Sequence, residues 1–397
     1  MAAVAKKERP SYNPAMLRWA RERRGQSIEE VAHRLKQKPE RIVAWEEARE
    51  VPTVNQARAL ADLYHRSFIE FFLKEPLELP EAAMVPDFRT HRGVDIDENQ
   101  RALKDIQSWA EAQRANALDL FQELGEEPPV FPEHLFATVE TRVESAAVEA
   151  RKAMDFTIDA QLALSSQERA QLPNILRRKL EQVGILTLKD TSLGELGARG
   201  MCLVEFPLPT VVFGNEAPSA QAFTLAHELA HVVLRQSGII APLAHPNQGG
   251  KTHTEAWCDQ FAASFLMPKE AVIQLLGEVP ARRLDSISDD RLSSAASAFR
   301  VSPHAMLIRL VHLGYVDRLY YWEIKKPHFD QEEANYRAFG RASYYGTRYK
   351  NALGDLYTGL VMEAWANGRI TNHNAAQYMG IKNLQHLYDI RDHFGVP

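Results

Sequence analysis

The chain has 397 residues, 45% hydrophobic and 25% charged, the balance of a folded protein too long for one core; at about 100–200 residues per domain it divides into two to four. Its two cysteines, Cys202 and Cys258, exclude a disulfide framework and a Cys-rich zinc finger. The net charge of −5 excludes a chain that is basic throughout, but residues 1–75 hold 15 Lys and Arg against 11 Asp and Glu, which leaves room for one basic module.

Residues 1–12 read as a flexible tail. The start MAAVAKKERP lacks the apolar core of a secretory signal. No run approaches the ~18–20 apolar residues that span a bilayer, so a cytoplasmic location is expected. From Pro14 to about Leu73 the pattern predicts short helices, broken at Gly25, Lys38-Pro39 and Pro52. LELPEAAMVPDFRTHRG (77–93) holds two prolines and no period, as a linker does. Residues 97–124 form a helix, with Ile106, Trp109, Leu118 and Phe121 among its apolar positions, and GEEPPVFP (125–132) stops it. Two helices are expected over 133–165 and 167–183. Then the period changes. GILTLKD (184–190), MCLVEF (201–206) and PTVVF (209–213) read as strands of a small sheet. A helix follows over 219–236, a polar loop over 237–253, and a helix from Thr254 to Leu266 that Met267-Pro268 ends. Beyond 270 the chain is helical again, with no internal repeat.

The chemistry concentrates in FTLAHELAHVVL (223–234). His227 and His231 stand at i and i+4, one turn apart on one helix face, where two imidazoles bind a single zinc ion. Glu228 projects beside them, in reach of a water on that metal. HExxH alone arises by chance in helices that bind nothing, so a second element matters. EAWCDQFAASFLMP (255–268) opens with Glu255 and Asp259, again one turn apart. Glu255 can serve as the third ligand, and Asp259 can accept the free ring N–H of a ligand histidine. One zinc per chain is expected, with Glu228 as general base. In the loop 237–254, His245 and His253 are candidates for stabilising the oxyanion or touching substrate, though both also read as ordinary solvated histidines. Cys258 reads as a small buried residue.

HExxH followed by ExxxD is the arrangement of gluzincin-type peptidases. TLAHELAHVVL with the later ExxxDxFAAxFLMP resembles the ImmA/IrrE family of zinc-dependent endopeptidases, and SAASAFRVSPHAMLIRLVHLGYV (294–316) is similar to the helical extension of that family. The likeness covers about residues 140–320. The family commonly has asparagine where this chain has Asp259, a change that keeps the hold on the histidine. The resemblance implies a cytosolic bacterial or phage-associated protease of narrow specificity. Several such proteins cleave a DNA-binding repressor and so switch on genes.

Residues 13–73 fit a helical DNA-binding domain. Ser27-x-x-Glu30 is a capping box, SIEEVAHRL (27–35) reads as the second helix, and PERIVAWEEA (39–48) as the recognition helix. The run from WEEA through VPT to ARALADLY resembles the Xre class of helix-turn-helix. Three positions depart from it: Lys36 stands at the turn glycine, Gln37 at the apolar turn residue, and Ile28 at the usual glutamine. Glu40 would face phosphates badly. Lys38 and Arg41 are the candidates for base or phosphate contact, and Arg18, Arg21, Arg23 and Arg24 for holding phosphates. A fold retained for protein contacts is the alternative.

Residues 337–397 are helical and aromatic-rich. Tyr344, Tyr345, Tyr349, Tyr357 and Trp365 suit a core, or a partner surface. Chains joining an Xre-type module, an ImmA/IrrE core and such a tail resemble regulators encoded beside PIN-type ribonuclease toxins. The expected fold is multidomain and mainly α. A flexible tail (1–12) precedes an all-α helix-turn-helix domain (13–76). A linker and helical connector (77–139) lead to a small α+β, gluzincin-like zinc-peptidase domain with its extension (140–325). A C-terminal helical partner-binding module (326–397) follows. The expected function is a regulatory zinc endopeptidase coupled to a DNA-binding module. The alternative is a non-enzymatic transcription regulator and antitoxin that keeps the peptidase fold as scaffold. The partners expected are DNA at an operator and a protein substrate or toxin, with no membrane and a homodimer left open.

Overall fold

The computed structural model describes residues 12–24, 26–64, 66, 68–75, 96–165, 168–240, 253–335, 345–381 and 383–394. They belong to two compact units, Met1–Ala83 and Met84–Pro397.

The first unit holds α1 (Pro14–Arg23), α2 (Ile28–Leu35), α3 (Pro39–Glu46), α4 (Val54–Tyr64) and a 3-10 turn at Phe68–Phe72. Met16, Leu17, Val31, Ile42, Trp45, Leu60 and Phe71 fill its core. The capping box forms: Ser27 Oγ accepts from the Glu30 N–H at 3.1 Å, and Glu30 Oε2 accepts from the Ser27 N–H at 2.7 Å. Lys36 ends α2 in the left-handed region, with φ 52°, the conformation for which glycine is the usual choice. The lysine therefore carries a conformation its side chain disfavours.

In the second unit, α5 (Ile96–Leu124) precedes a 3-10 turn (Glu133–Leu135), α6 (Val143–Ala153), α7 (Ile158–Leu162), a 3-10 turn (Glu168–Gln171) and α8 (Leu172–Gln182). The helix expected over 133–165 is thus in pieces. Asp155 turns left-handed (φ 45°), and Thr157 caps a new helix by accepting from the Ala160 N–H. The strands are β1 (Leu186–Lys189), β2 (Gly200–Leu203), β3 (Thr210–Phe213) and β4 (Gly238–Ile240), with α9 (Pro218–Leu234) before β4. The sheet order is β1-β3-β2-β4, with β1 parallel to β3 and β2 antiparallel to both β3 and β4. β4 corrects the reading of 237–253 as loop throughout: its two isoleucines are too short a run to stand out beside a polar stretch. Then come α10 (His253–Leu266), α11 (Lys269–Leu276), α12 (Asp289–Phe299) and α13 (Pro303–Leu313). A π-helical turn (Tyr320–Lys325) runs into α14 (Lys326–Asn335), and α15 (Tyr345–Ala366), α16 (Asn372–Tyr378) and α17 (Gln385–Phe394) follow.

Successive strand residues point to opposite faces, and both faces are buried. Cys202, Val211 and Phe213 pack with α6, α8, α9, α10 and α13. Leu186, Leu188, Met201, Leu203 and Val212 pack with α5 and α15–α17. The stretch 326–397, read from sequence as a module of its own, therefore supplies helices to the same body as the sheet. Its boundary also falls inside a continuous helical run, where Tyr320, Tyr321 and Phe329 share one core. Tyr357 is fully buried, and its hydroxyl donates to Tyr378 O at 3.0 Å. Tyr349 and Trp365 are half-buried, while Tyr344 and the side chain of Tyr345 lie outside the described residues.

α15 is broken at Gly354 (φ 86°, ψ 170°). Before the break, Arg177 donates to Asn351 O at 2.5 Å and to Ala352 O at 3.3 Å; after it, Glu181 accepts from the Leu356 N–H at 2.9 Å. A cation at one helix end and a carboxylate at the next helix start match the two helix dipoles. A Cβ at Gly354 would lie 2.3 Å from Glu181 Oε1, so the close approach requires glycine.

Candidate metal centre

Every residue of α9 from Thr224 to Leu234 is buried, because the sheet covers one side of the helix and α8 and α10 cover others. Its 3.6-residue period puts His227 and His231 on one side, with ring centroids 5.1 Å apart. α10 brings Glu255 opposite. Glu255 Oε2 stands 3.3 Å from His227 Nε2, and Oε1 stands 3.2 Å from His231 Nε2. Zinc bound to nitrogen and carboxylate oxygen at about 2.0–2.1 Å in a tetrahedron separates its ligand atoms by about 3.3–3.4 Å. Each of the two Glu255 oxygens thus faces one imidazole nitrogen at about that edge length. Asp259 Oδ1 lies 3.0 Å from His227 Nδ1 and so orients the ring with Nε2 toward Glu255.

Among the described residues, His227, His231 and Cys258 also bring a ring nitrogen each and the thiol within 4.8 Å of one another, all buried. This buried group is consistent with a metal ion, and zinc is typical for such donors. Cys258 is buried as the sequence suggested, yet its sulfur joins the group. Its position one turn after Glu255 permits this, but only the packing of α10 on α9 brings it about.

The electrostatics call for a cation here. Burial opposes a charged His227, but Asp259 and Glu255 outweigh it and raise its pKa from 6.5 to about 10. Burial likewise opposes a charged Glu255, and the two imidazoles override it, lowering the pKa to about 2. For His231 burial wins and lowers the pKa. Glu228 is fully buried, and neither carboxylate oxygen has a hydrogen-bond partner among the described residues. Burial pushes its pKa up strongly, helped by the charge of Glu255 and opposed by His227. An orphaned buried carboxylate is costly, and beside a metal ligand set it suits a group that handles a proton. The donors present therefore fit zinc.

The structure brings His227, Glu228, His231, Glu255 and Asp259 together. It does not bring His253 to them. That residue opens α10 on the exposed side and lines a separate cleft of about 390 Å³ with Trp257, Gln260 and Arg309. Two residues along a helix turn about 200°, away from the side of Glu255. His245 lies outside the described residues.

The first unit changes the reading of one arginine. Arg21 was expected to hold phosphate, but its Nε and Nη2 donate to the two oxygens of Glu46 at 2.6 and 2.9 Å, and its Nη1 donates to Gln26 O at 3.0 Å. Glu46 is buried, so this pair belongs to the fold. Arg18 is half exposed, with its Nε 3.6 Å from Glu46. Arg24 is half-buried, and burial, with Arg34 nearby, lowers its pKa to about 10. Lys38 is exposed at the N-cap of α3. Arg41 is exposed too, donating to Gln37 Oε1 at 3.0 Å and lying 3.3 Å from Glu50. The side chain of Arg23 lies outside the described residues.

Among the described residues, no helix is long and apolar enough to cross a membrane. No curated protein and no solved structure matches the chain. Residues 209–311, from β3 into α13 and including both helices of the centre, match the family model of the IrrE N-terminal-like domain (Peptidase_M78), so this part of the chain is similar to the metallopeptidases of the ImmA/IrrE family.

Proposed function

We propose that the chain is a zinc-dependent endopeptidase that cuts a specific protein, such as a transcriptional repressor, and so controls gene expression. The observation that carries this reading is the convergence of His227, His231 and Glu255, with the carboxylate of Glu228, to which no described residue hydrogen-bonds, beside them. Zinc in this site would polarise a peptide carbonyl and acidify a water molecule. His227, His231 and Glu255 would hold it, and Asp259 keeps the His227 ring in place. A carboxylate oxygen of Glu228 takes a proton from water as the water oxygen bonds to the carbonyl carbon. It returns that proton to the nitrogen as the C–N bond breaks. The likeness to ImmA/IrrE metallopeptidases supports the hydrolytic class.

Glu228→Gln keeps volume and ligands but accepts no proton. Zinc should stay bound while cleavage of the partner falls ~10²–10⁴-fold. Toxin neutralisation and promoter control that persist unaltered in Glu228→Gln cells would sink the protease reading and favour the scaffold. The ligand set is tested alongside: Glu255→Ala should lose the metal and Cys258→Ser should keep it, and the reverse would assign the thiol.

The N-terminal unit is proposed to bind DNA. Support comes from the three-residue turn between α2 and α3, and from the exposed Lys38 and Arg41 at the start of α3. Binding to its own promoter should weaken steeply with salt, and absence of binding at low salt would leave a protein-contact domain.

A further inference from the structure

With no hydrogen bond from a described residue to fix the Glu228 carboxylate, its position depends on what it packs against. One neighbour is bare backbone. Gly200 opens β2, in register with Phe213 of β3 on one side and Ile240 of β4 on the other. Strand pairing on both sides leaves its backbone little freedom to shift. Gly200 is not among the residues with positive φ, so the backbone conformation does not demand glycine here. The space does. A Cβ at Gly200 would lie 2.1 Å from Glu228 Oε1, 3.0 Å from Glu228 Cδ and 2.9 Å from Thr224 Cγ2. Thr224 is itself fixed, its hydroxyl donating to Glu216 Oε2 at 3.0 Å.

We propose that Gly200 is a positioning residue for Glu228: the missing side chain on β2 forms the seat of the carboxylate. Alanine would force the acid off that seat while leaving α9 and the ligand histidines in place. The kinetic consequence rests on the peptidase reading; the steric one does not. A general base must sit within hydrogen-bond reach of the proton it takes, and small misplacements of positioned groups cost large factors in rate.

The test is a double-mutant cycle in the full chain, read two ways. Melting of the chelator-treated protein comes first. Gly200→Ala should lower Tm clearly in the parent. In a Glu228→Ala background, which removes the carboxylate, the same change should cost less than about half as much, with the Thr224 methyl accounting for the remainder. Equal losses in both backgrounds would overturn the proposal, and the double variant keeps the test alive where Gly200→Ala alone fails to fold. Kinetics come second. Gly200→Ala should keep its zinc and its KM while kcat falls ~10-fold or more. The advantage of Glu over Asp at position 228 should shrink in the Gly200→Ala background, because the shorter acid fits beside the new methyl. An undiminished advantage would count against the seat. A parent chain that cleaves nothing would remove the peptidase reading, and the melting cycle would still decide the role of Gly200.

Discussion

In the zinc reading, a proton and the metal ion would compete for the same place between His227 and Glu255. His227 titrates at about 10 in the folded chain against the ordinary 6.5, raised by Asp259 and Glu255 against the effect of burial. A raised pKa means that the protonated ring stabilises the metal-free fold. That contribution is complete below pH 6.5 and disappears as pH climbs through about 10. Chelator-treated protein should therefore melt at falling temperature across this window, by up to ~1.4 kcal/mol per pH unit. Asp259→Asn, lacking the charge, should flatten the fall. Zinc affinity should move the opposite way and rise with pH, because the ion displaces the proton. A Tm that is flat from pH 6.5 to 10 without metal would contradict the pairing. The histidines, Glu228, Glu255 and Asp259 were legible in the sequence because helical spacing alone puts i and i+4 on one side. The sulfur of Cys258 among the imidazoles, and the seat at Gly200, were not. Each depends on how two elements pack, and a short strand next to a helix leaves no periodic trace of which residue faces which.

The helical pair α2–α3 shows the same limit at the next scale. Its capping box, its breaks and its proline at the start of α3 are local signals, and the structure contains all three. The four arginines of α1 and its end look alike in sequence. Glu46, 25 residues after Arg21, separates them by drawing Arg21 inward to a bidentate pair. The two kinds of arginine should fail differently. Arg21→Ala leaves Glu46 buried without that partner, so the first unit should lose ~3–5 kcal/mol, the range for breaking a buried pair from one side. Arg41 is half exposed and its pairs lie at the surface, so Arg41→Ala should leave the melting temperature nearly unchanged. If Arg41 reads a base, promoter affinity should drop by ~1–3 kcal/mol in that variant. Denaturation and promoter binding measured on both variants separate the cases. Equal stability losses would mean that Arg21 is no more structural than Arg41.

Across the whole molecule, the composition of the C-terminal stretch hid its place. Aromatic side chains at helical spacing suit a partner surface and a core equally, and which one they form depends on strands β1–β3, far earlier in the chain. In the structure, Tyr357, Leu360 and Val361 of α15 and Leu387 and Ile390 of α17 cover the face of the sheet that carries Leu186, Leu188, Met201, Leu203 and Val212. Arg177 and Glu181 also spend their hydrogen bonds on the break in α15. Removing 345–397 would expose that apolar face to water and leave a buried ion pair short of partners, two of the costliest changes a fold can suffer. The shortened chain should aggregate or melt without a cooperative transition. Bound zinc should fall as well, because α9, which carries His227 and His231, packs on the other face of the same sheet. Removing 1–83 should act in the opposite way, since those residues form a compact unit with a core of their own. That chain should keep its zinc and a cooperative melt. Zinc content and calorimetry on the two truncations give the answer together. A cooperative melt at the parental temperature with full zinc after loss of 345–397 would return the C-terminal helices to the status of a detachable module.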